Sequence, residues 1–499
     1  MSDTEISKQA VPAEGEYLES VNALDAAIEA LSLPTKGAES TTKTAARSLA
    51  EWILKDAVVY DGSILSYIEG VIAEIDRLLS KQMNAILHHA DFLKMEGSWR
   101  GLEHLVFNTE TDDQLRIEIF NISKSEVRQV LREYKGDKWD RSPLFRKVYE
   151  EEFGMPGGKP YGVMIGDYDF DHSPVDVDIL RGVGQIAAAA HCPFITAASP
   201  TLLGLKTWQD LSKPPKIDKV LSKTNPEYAA WRSLRSSEDS RYLGLTLPRF
   251  LSRAPYDPRK NPIDDFEFTE ELSGADHDCY VWSNAAYAFG ANVTRAFKLF
   301  GWCTYIRGHD SGGKVEKLPV HTFPSDDGSI DYKCPTEIAI TDRREHELAK
   351  VGLMPLSHYK NEDFAVFMGA QSLQEPQKFY EDDATANAAL SARLTYLFAC
   401  CRFAHYLKVM VRDKVGAFME RNELEDWLNK WINNYQCDSS SSWDLKAKKP
   451  LAAAKVTVVA NEADPGYYNA DFFLRPHIQL EGLTAALHLV SRLPVLGGK

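Results

Sequence analysis

Strand, helix and strand follow one another in the middle of this chain, and that order constrains the fold more than any other feature. YGVMIGDYDF (161–170) reads as a strand ending in an acidic turn, and VDVDILRGVGQIAAAAHCPFI (175–195) as a helix running into a second strand. A helical crossover between two strands implies an α/β layer with at least some parallel pairing. NAAYAFGANVTRAFKLFGWCTYIRG (284–308) repeats the sense of helix followed by strand. At 499 residues the chain exceeds what one core organises, so the expected class is α/β (mixed α+β) with two or more domains.

The flanks differ from this layer. Residues 1 to about 17 are polar and acidic and read as disordered. LESVNALDAAIEALSLP (18–34) then places Leu18, Val21, Leu24, Ile28 and Leu31 on one helical stripe, followed by the polar linker KGAESTTKTA. A helix this short is marginal alone in water, so its stripe needs a partner or its own domain to cover it. From about 44 to 106 the pattern stays helical, with Leu65, Ile68, Ile72, Ile75, Leu79, Met83 and Ile86 forming one apolar face. QLRIEIFNI (114–122) alternates as a strand, KSEVRQVLREY (124–134) as a helix, and further helices are expected over 384–416 and 422–435. After a polar spacer (437–450), two β-rich runs flank the turn EADPG, a hairpin signal in which Pro476 restricts the second strand to an edge or a bulge. The expected organisation is an N-terminal arm (1–43), an α/β region (44–375) and a C-terminal domain (376–499).

Charge and motifs narrow the chemistry. A net charge of −15 without any basic block argues against nucleic acid as a partner. Seven cysteines without a C-x-x-C pair suit a reducing compartment, and no apolar run reaches the roughly 18 residues of a membrane span, so a cytoplasmic location is expected. GHDSGGKV (308–315) matches a phosphate-binding loop at Gly308, Gly313 and Lys314, which raises a nucleotide-dependent enzyme as an alternative. Val315 stands where the Mg²⁺-binding hydroxyl belongs, and a proline follows within five residues of the lysine. FGMPGGKP (153–160) fails more plainly, with Phe153 for the first glycine and Pro160 for the hydroxyl. In DYDFDH (167–172), Asp167, Asp169 and Asp171 imitate half a calcium loop, but His172 replaces the required glycine. His88 and His89 are adjacent and point to different faces of a helix, and no nucleophile elbow occurs. No cofactor, metal or catalytic residue is expected. The segment 225–258 is dense in Arg232, Arg235, Arg241, Arg249 and Arg253, for which pairing with carboxylates at packed contacts is the simplest account.

That arginine-rich segment, EYAAWRSLRSSEDSRYLGLTLPRFLSR, resembles the type VI secretion contractile-sheath large subunit, the TssC/VipB family. The resemblance extends through WRGLEHLV, SPLFRKVYEEEFG, GGKPYGVMIGDYDF, AAAAHCPFITAASP, WSNAAYAF, GGKVEKLPVHTF, PTEIAITDRREHEL and FLRPHIQLEG, covering the chain after about residue 44. It implies a multidomain sheath protomer, related to phage tail sheath domains, with an extended N-terminal arm and C-terminal inter-subunit strands. It also implies partners: a small sheath subunit of the TssB/VipA type, further copies in a helical tubule, the Hcp inner tube, baseplate components and a ClpV-type AAA+ unfoldase. A phage-like tail sheath without an unfoldase is the nearest alternative. On this resemblance the 18–31 helix is the expected unfoldase-docking element, and the stripe through Leu65, Ile68, Ile72, Ile75 and Leu79 packs on the small subunit. Val456, Val458, Phe472 and Leu474 lie in strands suited to exchange between protomers, and Glu481 is the expected tube contact.

Overall fold

The computed structural model describes residues 64–213, 217–221, 225–259, 266, 268–324, 328–414, 420–460, 468–477 and 479, with side chains from Glu69 onward except at 71, 218, 219, 460, 468 and 469. The docking helix expected at 18–31, the turn expected at EADPG and Glu481 lie outside the described residues, as do the side chains of Leu65 and Ile68. The chain forms two compact units, residues 1–86 with 256–271 and residues 87–255 with 272–499.

In the first unit, helix α1 (Ile64–Leu87) carries the apolar stripe expected from its sequence. Buried Asn84 accepts the Glu271 N–H at 3.2 Å, and the Glu270 carboxylate accepts the Tyr256 N–H at 3.0 Å, which pins the 256–271 segment.

The second unit opens with α2 (Ala90–Phe107). His88 and His89 do not sit within one helix, because the helix breaks there and His89 Nδ1 caps α2 by accepting the Asp91 N–H at 3.3 Å. The inner face of α2 is Leu93, Gly97, Gly101 and Leu105. A Cβ on Gly97 would stand 2.5 Å from the Trp282 carbonyl oxygen, so only glycine lets this helix lie against that strand. Gln114–Ile122 is not a paired strand. Side chains meet this segment instead: the Tyr168 hydroxyl donates to the Ile122 carbonyl at 2.7 Å and the Tyr161 hydroxyl to Glu118 at 2.6 Å. Helix α3 (Lys124–Glu133) follows behind a capping box of Ser123 and Glu126.

The central sheet has the order β1 (Met164–Phe170), β2 (Phe194–Ala198), β3 (Leu243–Leu247), β9 (Leu353–His358), β10 (Ala365–Phe367), β6 (Lys314–Val315). Its first four strands are parallel, with Ile195 beside Gly244 and Leu245 beside Leu353, and β10 and β6 add antiparallel. Helix α4 (Pro174–Ala190) makes the β1–β2 crossover. Ser173 caps its start with Pro174 in the first turn, and His191 ends it in the left-handed region at φ 49°. Strands β2 and β3 are buried throughout, as expected when helices cover both faces of a parallel sheet. One core joins α4 and α5 (Ala229–Arg235) through Val177, Leu180, Trp208, Trp231 and Leu243, and another joins α6 (Ala285–Phe300) to Met354, Phe367 and Leu397. Short pairs β4 (Phe250–Leu251) with β5 (Trp282–Ser283), and β7 (Thr322–Pro324) with β8 (Ile330–Tyr332), lie outside this sheet; α7 (Asp342–Lys350) precedes β9.

Three further expectations are corrected. WCTYIR forms turns, not a strand, after α6 ends at Gly301, although Trp302 and Ile306 are still buried. The helix expected over 384–416 is two, α8 (Asp382–Ser391) and α9 (Leu394–Asp413), interrupted where Arg393 bridges to Gln371. The polar spacer holds a short helix, α11 (Trp443–Lys448), after α10 (Arg421–Asn433). Beyond it β11 (Leu451–Ala460) and β12 (Tyr468–Pro476) pair antiparallel, with a register shift between Leu451 and Ala453 opposite Pro476. They close a core of Trp302, Phe403, Leu407, Leu428, Ile432, Leu451, Val456 and Val458, in which the Trp302 and Phe403 rings stack at 4.2 Å.

Candidate assembly surfaces

The two edges of the C-terminal hairpin are unlike. Along the outer edge of β11 the backbone is already bonded by side chains. The Asn429 amide donates to the Val456 carbonyl at 2.8 Å and accepts the Val456 N–H at 2.9 Å. The Val458 N–H donates to Glu425 at 2.9 Å, and Gln436 donates to the Ala454 carbonyl at 3.2 Å. Glu425 and Asn429 come from α10, so this helix closes the edge that a third strand would need.

That geometry fixes the other edge. Ala454, Val456 and Val458 turn their backbone groups outward, so the residues opposite them, Leu474, Phe472 and Ala470, occupy non-hydrogen-bonded pairs and turn theirs outward too. No described residue bonds those outward groups on β12. Val456 and Val458 are buried in the hairpin core, whereas Phe472 and Phe473 are 37% and 58% exposed. Of the strand residues named from the sequence, Phe472 and Leu474 therefore lie on an edge that no described residue bonds, and Val456 and Val458 are buried in the core of their own domain.

On α1, Ile72, Leu79, Met83 and Ile86 are 51, 48, 38 and 44% exposed, and Ile75 is half-buried. Exposed apolar side chains at helical spacing cost free energy in water, at about 25 cal/mol per Å² left uncovered. Exposed apolar stripes of this kind are the surfaces that protein contacts commonly cover.

The loop GHDSGGKV is not a phosphate cradle. Lys314 lies in β6 instead of opening a helix, and its ammonium rests 3.6 Å from Glu316 and 3.9 Å above the Phe364 ring. Gly308 N–H donates to the Phe367 carbonyl at 2.7 Å, and a Cβ on Gly313 would stand 2.5 Å from that same oxygen. The glycines let the loop lie flat on β10. In DYDFDH, Asp171 accepts the Ser173 N–H at 2.8 Å within the turn that leads into α4.

The arginines of 225–258 are structural. Arg253 forks onto Glu96 at 2.6 and 3.2 Å, with both side chains nearly buried. Arg249 forks onto Glu337 at 3.0 and 2.6 Å, and its own N–H reaches the same carboxylate at 3.3 Å. Arg241 approaches Glu238 at 3.7 Å, Arg235 donates to the Leu373 carbonyl at 3.0 Å, and Arg232 to the Asn225 carbonyl at 2.8 Å. Burial pushes the Glu337 carboxyl up, but the nearby His277 imidazole and the Arg249 guanidinium outweigh it and hold the group below the usual carboxylate range. Among the described residues, no helix is long and apolar enough to cross a membrane.

Comparison with known proteins identifies the family. Residues 69–374 match the VipB family model, described as EvpB/VC_A0108, tail sheath N-terminal domain. Residues 383–493 match its companion, the tail sheath gpW/gp25-like domain. The type VI secretion system sheath protein TssC1 of Pseudomonas aeruginosa strain PAO1 is 56% identical over 462 residues, covering 92% of each chain. Solved structures with more distant likeness include the baseplate of the anti-feeding prophage, at 10% identity and a TM-score of 0.38 over 79% of this chain and 87% of that one. The contracted sheath of an extracellular contractile injection system has 9% identity and a TM-score of 0.32 over 76% of this chain and 98% of that one. The chain belongs to the VipB tail-sheath family and is a structural subunit of a type VI secretion contractile sheath.

Proposed function

We propose that the chain is the large sheath subunit, which pairs with a small subunit of the TssB/VipA type and stacks with further copies into a cytoplasmic tubule around an Hcp tube. It works by assembly and not by catalysis. Contraction of the tubule drives the tube outward from baseplate components, and a ClpV-type unfoldase recycles the contracted form. The observation that carries this reading is the asymmetric hairpin, one edge closed by its own helix and the other, unbonded among the described residues, available for a neighbour's strand. Each ladder hydrogen bond to such a strand contributes about 0.5–1.5 kcal/mol net, so a few per protomer repeated along a tube link the subunits firmly while they shift. The exposed stripe on α1 supports the pairing with a small subunit, and the sequence of 18–31 supports the docking of an unfoldase. Glu481 is a proposed tube contact. The proposed organisation keeps an arm (1–43), a sheath body (44–375) and a C-terminal exchange domain (376–499).

Coexpression with a cognate small subunit is expected to give tubules by negative-stain microscopy, and Leu79→Asp with Met83→Asp is expected to abolish copurification of the two subunits. Monodisperse wild-type heterodimers without tubules would count against the reading. Deleting residues 15–34 should leave tubules intact yet resistant to the unfoldase; dismantling at the wild-type rate would remove the docking role.

A further inference from the structure

Helix α9 serves two cores. Its Phe403 and Leu407 close the core of the C-terminal hairpin. His405, between them in sequence, is 2% exposed and brings Nε2 to 2.9 Å from the Ala190 carbonyl at the end of α4. That nitrogen therefore carries the hydrogen and donates it, and the buried Nδ1 meets no hydrogen-bond partner among the described residues. His191, the left-handed residue that ends α4, stands beside it with the two rings 6.4 Å apart. The Phe153 ring, from the π-helical turns Arg146–Gly154, meets both edge-on, 5.1 Å from His405 and 5.9 Å from His191. Lys408, three residues along α9 from His405, sets its ammonium 3.6 Å above the same Phe153 ring and donates to the Tyr149 hydroxyl at 3.1 Å.

Little in this seam would balance a further positive charge. Helix α9 supplies the cations Lys408 and Arg402, and the 146–154 turns supply neutral Tyr149. The segment before β3 supplies Tyr242, whose hydroxyl lies 3.4 Å from His191 Nδ1, with Arg241 and Asp239 acting on that tyrosine. The thiols of Cys192, after α4, and Cys401, on α9, are buried and pushed up, so they stay neutral. Among the described residues, neither imidazole forms an ion pair with a carboxylate.

We propose that this seam is an acid-operated latch: protons taken up by His405 and His191, beside Lys408 and with no carboxylate to pair with, lift α9 from the end of α4 and from the 146–154 turns. Because Phe403 and Leu407 sit on the same helix, the opening reaches the hairpin core. The device belongs to the single chain and operates with or without assembly. Burial pushes the His405 imidazole down to about 4, against the ordinary 6.5, and burial with Lys408 also lowers His191. A depressed histidine means that the open seam takes the proton first. The latch is therefore closed above about pH 6.5 and loses hold as pH falls from there toward 4.

The test is hydrogen exchange of the full chain at pH 7.5 and pH 5.5, read by peptide mass spectrometry and corrected for the intrinsic pH dependence of exchange. Peptides covering 146–154 and 400–413 should lose about tenfold in protection at the lower pH, the loss that one histidine shifted from 6.5 to about 4 produces there. Peptides covering β3 and β9 should keep theirs. His405→Gln keeps a donor for the Ala190 carbonyl, and His191→Asn tolerates the left-handed backbone, yet neither side chain titrates. The double variant should therefore show equal protection at both pH values. Lys408→Met, which leaves both imidazoles in place, should make the loss smaller than in the wild type. Wild-type protection that does not change with pH would overturn the proposal. So would a tenfold loss that persists in the double variant, or one shared equally by β3 and β9, since the whole fold and not the seam would then be opening.

Discussion

A chain carrying Phe472→Pro is expected to fold, to keep its C-terminal hairpin and to build no tubules. Phe472 lies opposite Val456 in a non-hydrogen-bonded pair, so its N–H points away from β11. Proline there removes a donor that the hairpin does not use but that an incoming strand requires. Its φ near −65° and the extended conformation it imposes on Asp471 are both compatible with strand geometry. Phe473→Pro provides the contrast. Phe473 pairs with Lys455 in the bonded register, so proline at that position removes a ladder bond within the hairpin and should destabilise the domain by about 3 kcal/mol. Tubule counts by negative stain and thermal melting of the full chain read the two effects separately. Tubules of normal length from Phe472→Pro would show that neighbours do not join through this edge.

The edge could not have been found in the sequence. Alternating Val456 and Val458, and Phe472 and Leu474, announce a hairpin, but its closed side is decided by Glu425 and Asn429, 33 and 27 residues away from the groups they bond. Local pattern carried the parts governed by local physics. Ser173–Pro174 starts α4, Ser123 with Glu126 starts α3, and the spacing of Ile72, Leu79, Met83 and Ile86 was that of a helix, which α1 is. It failed where tertiary contact overrides propensity. Gln114–Ile122 alternates well but meets side chains of 161 and 168 in place of a strand partner. The break at Arg393 is set by a bridge to Gln371. The phosphate-loop match shows the converse. Its glycines satisfy the spacing because the chain must lie flat against β10, a requirement shared with loops that hold no phosphate.

Removing Arg249 is expected to have a large effect on folding, because it reaches the surface yet holds a buried carboxylate. Glu337 is 4% exposed, and its carboxylate is held by two guanidinium bonds and the Arg249 N–H, with His277 Nε2 at 3.7 Å. Arg249→Met keeps the stem of the side chain but leaves a buried carboxylate with only the backbone donor and the distant imidazole. Breaking a buried pair from one side costs about 3–5 kcal/mol. The pH dependence separates this account from simple loss of packing. In the wild type, Glu337 has a depressed folded-state pKa. Its contribution is complete above the unfolded-state value near 4.5 and is lost as pH falls through the folded-state value. In the variant, burial is no longer outweighed and the sign reverses, so protonating Glu337 relieves the penalty. The gap between wild type and Arg249→Met should therefore narrow as pH falls from 7 toward 4, and Glu337→Gln added to Arg249→Met should recover most of the loss at pH 7. Urea denaturation across that range reads both effects. A gap that is constant with pH, with no rescue by glutamine, would mean that Arg249 stabilises the β3–β4 connection by packing and not by charge.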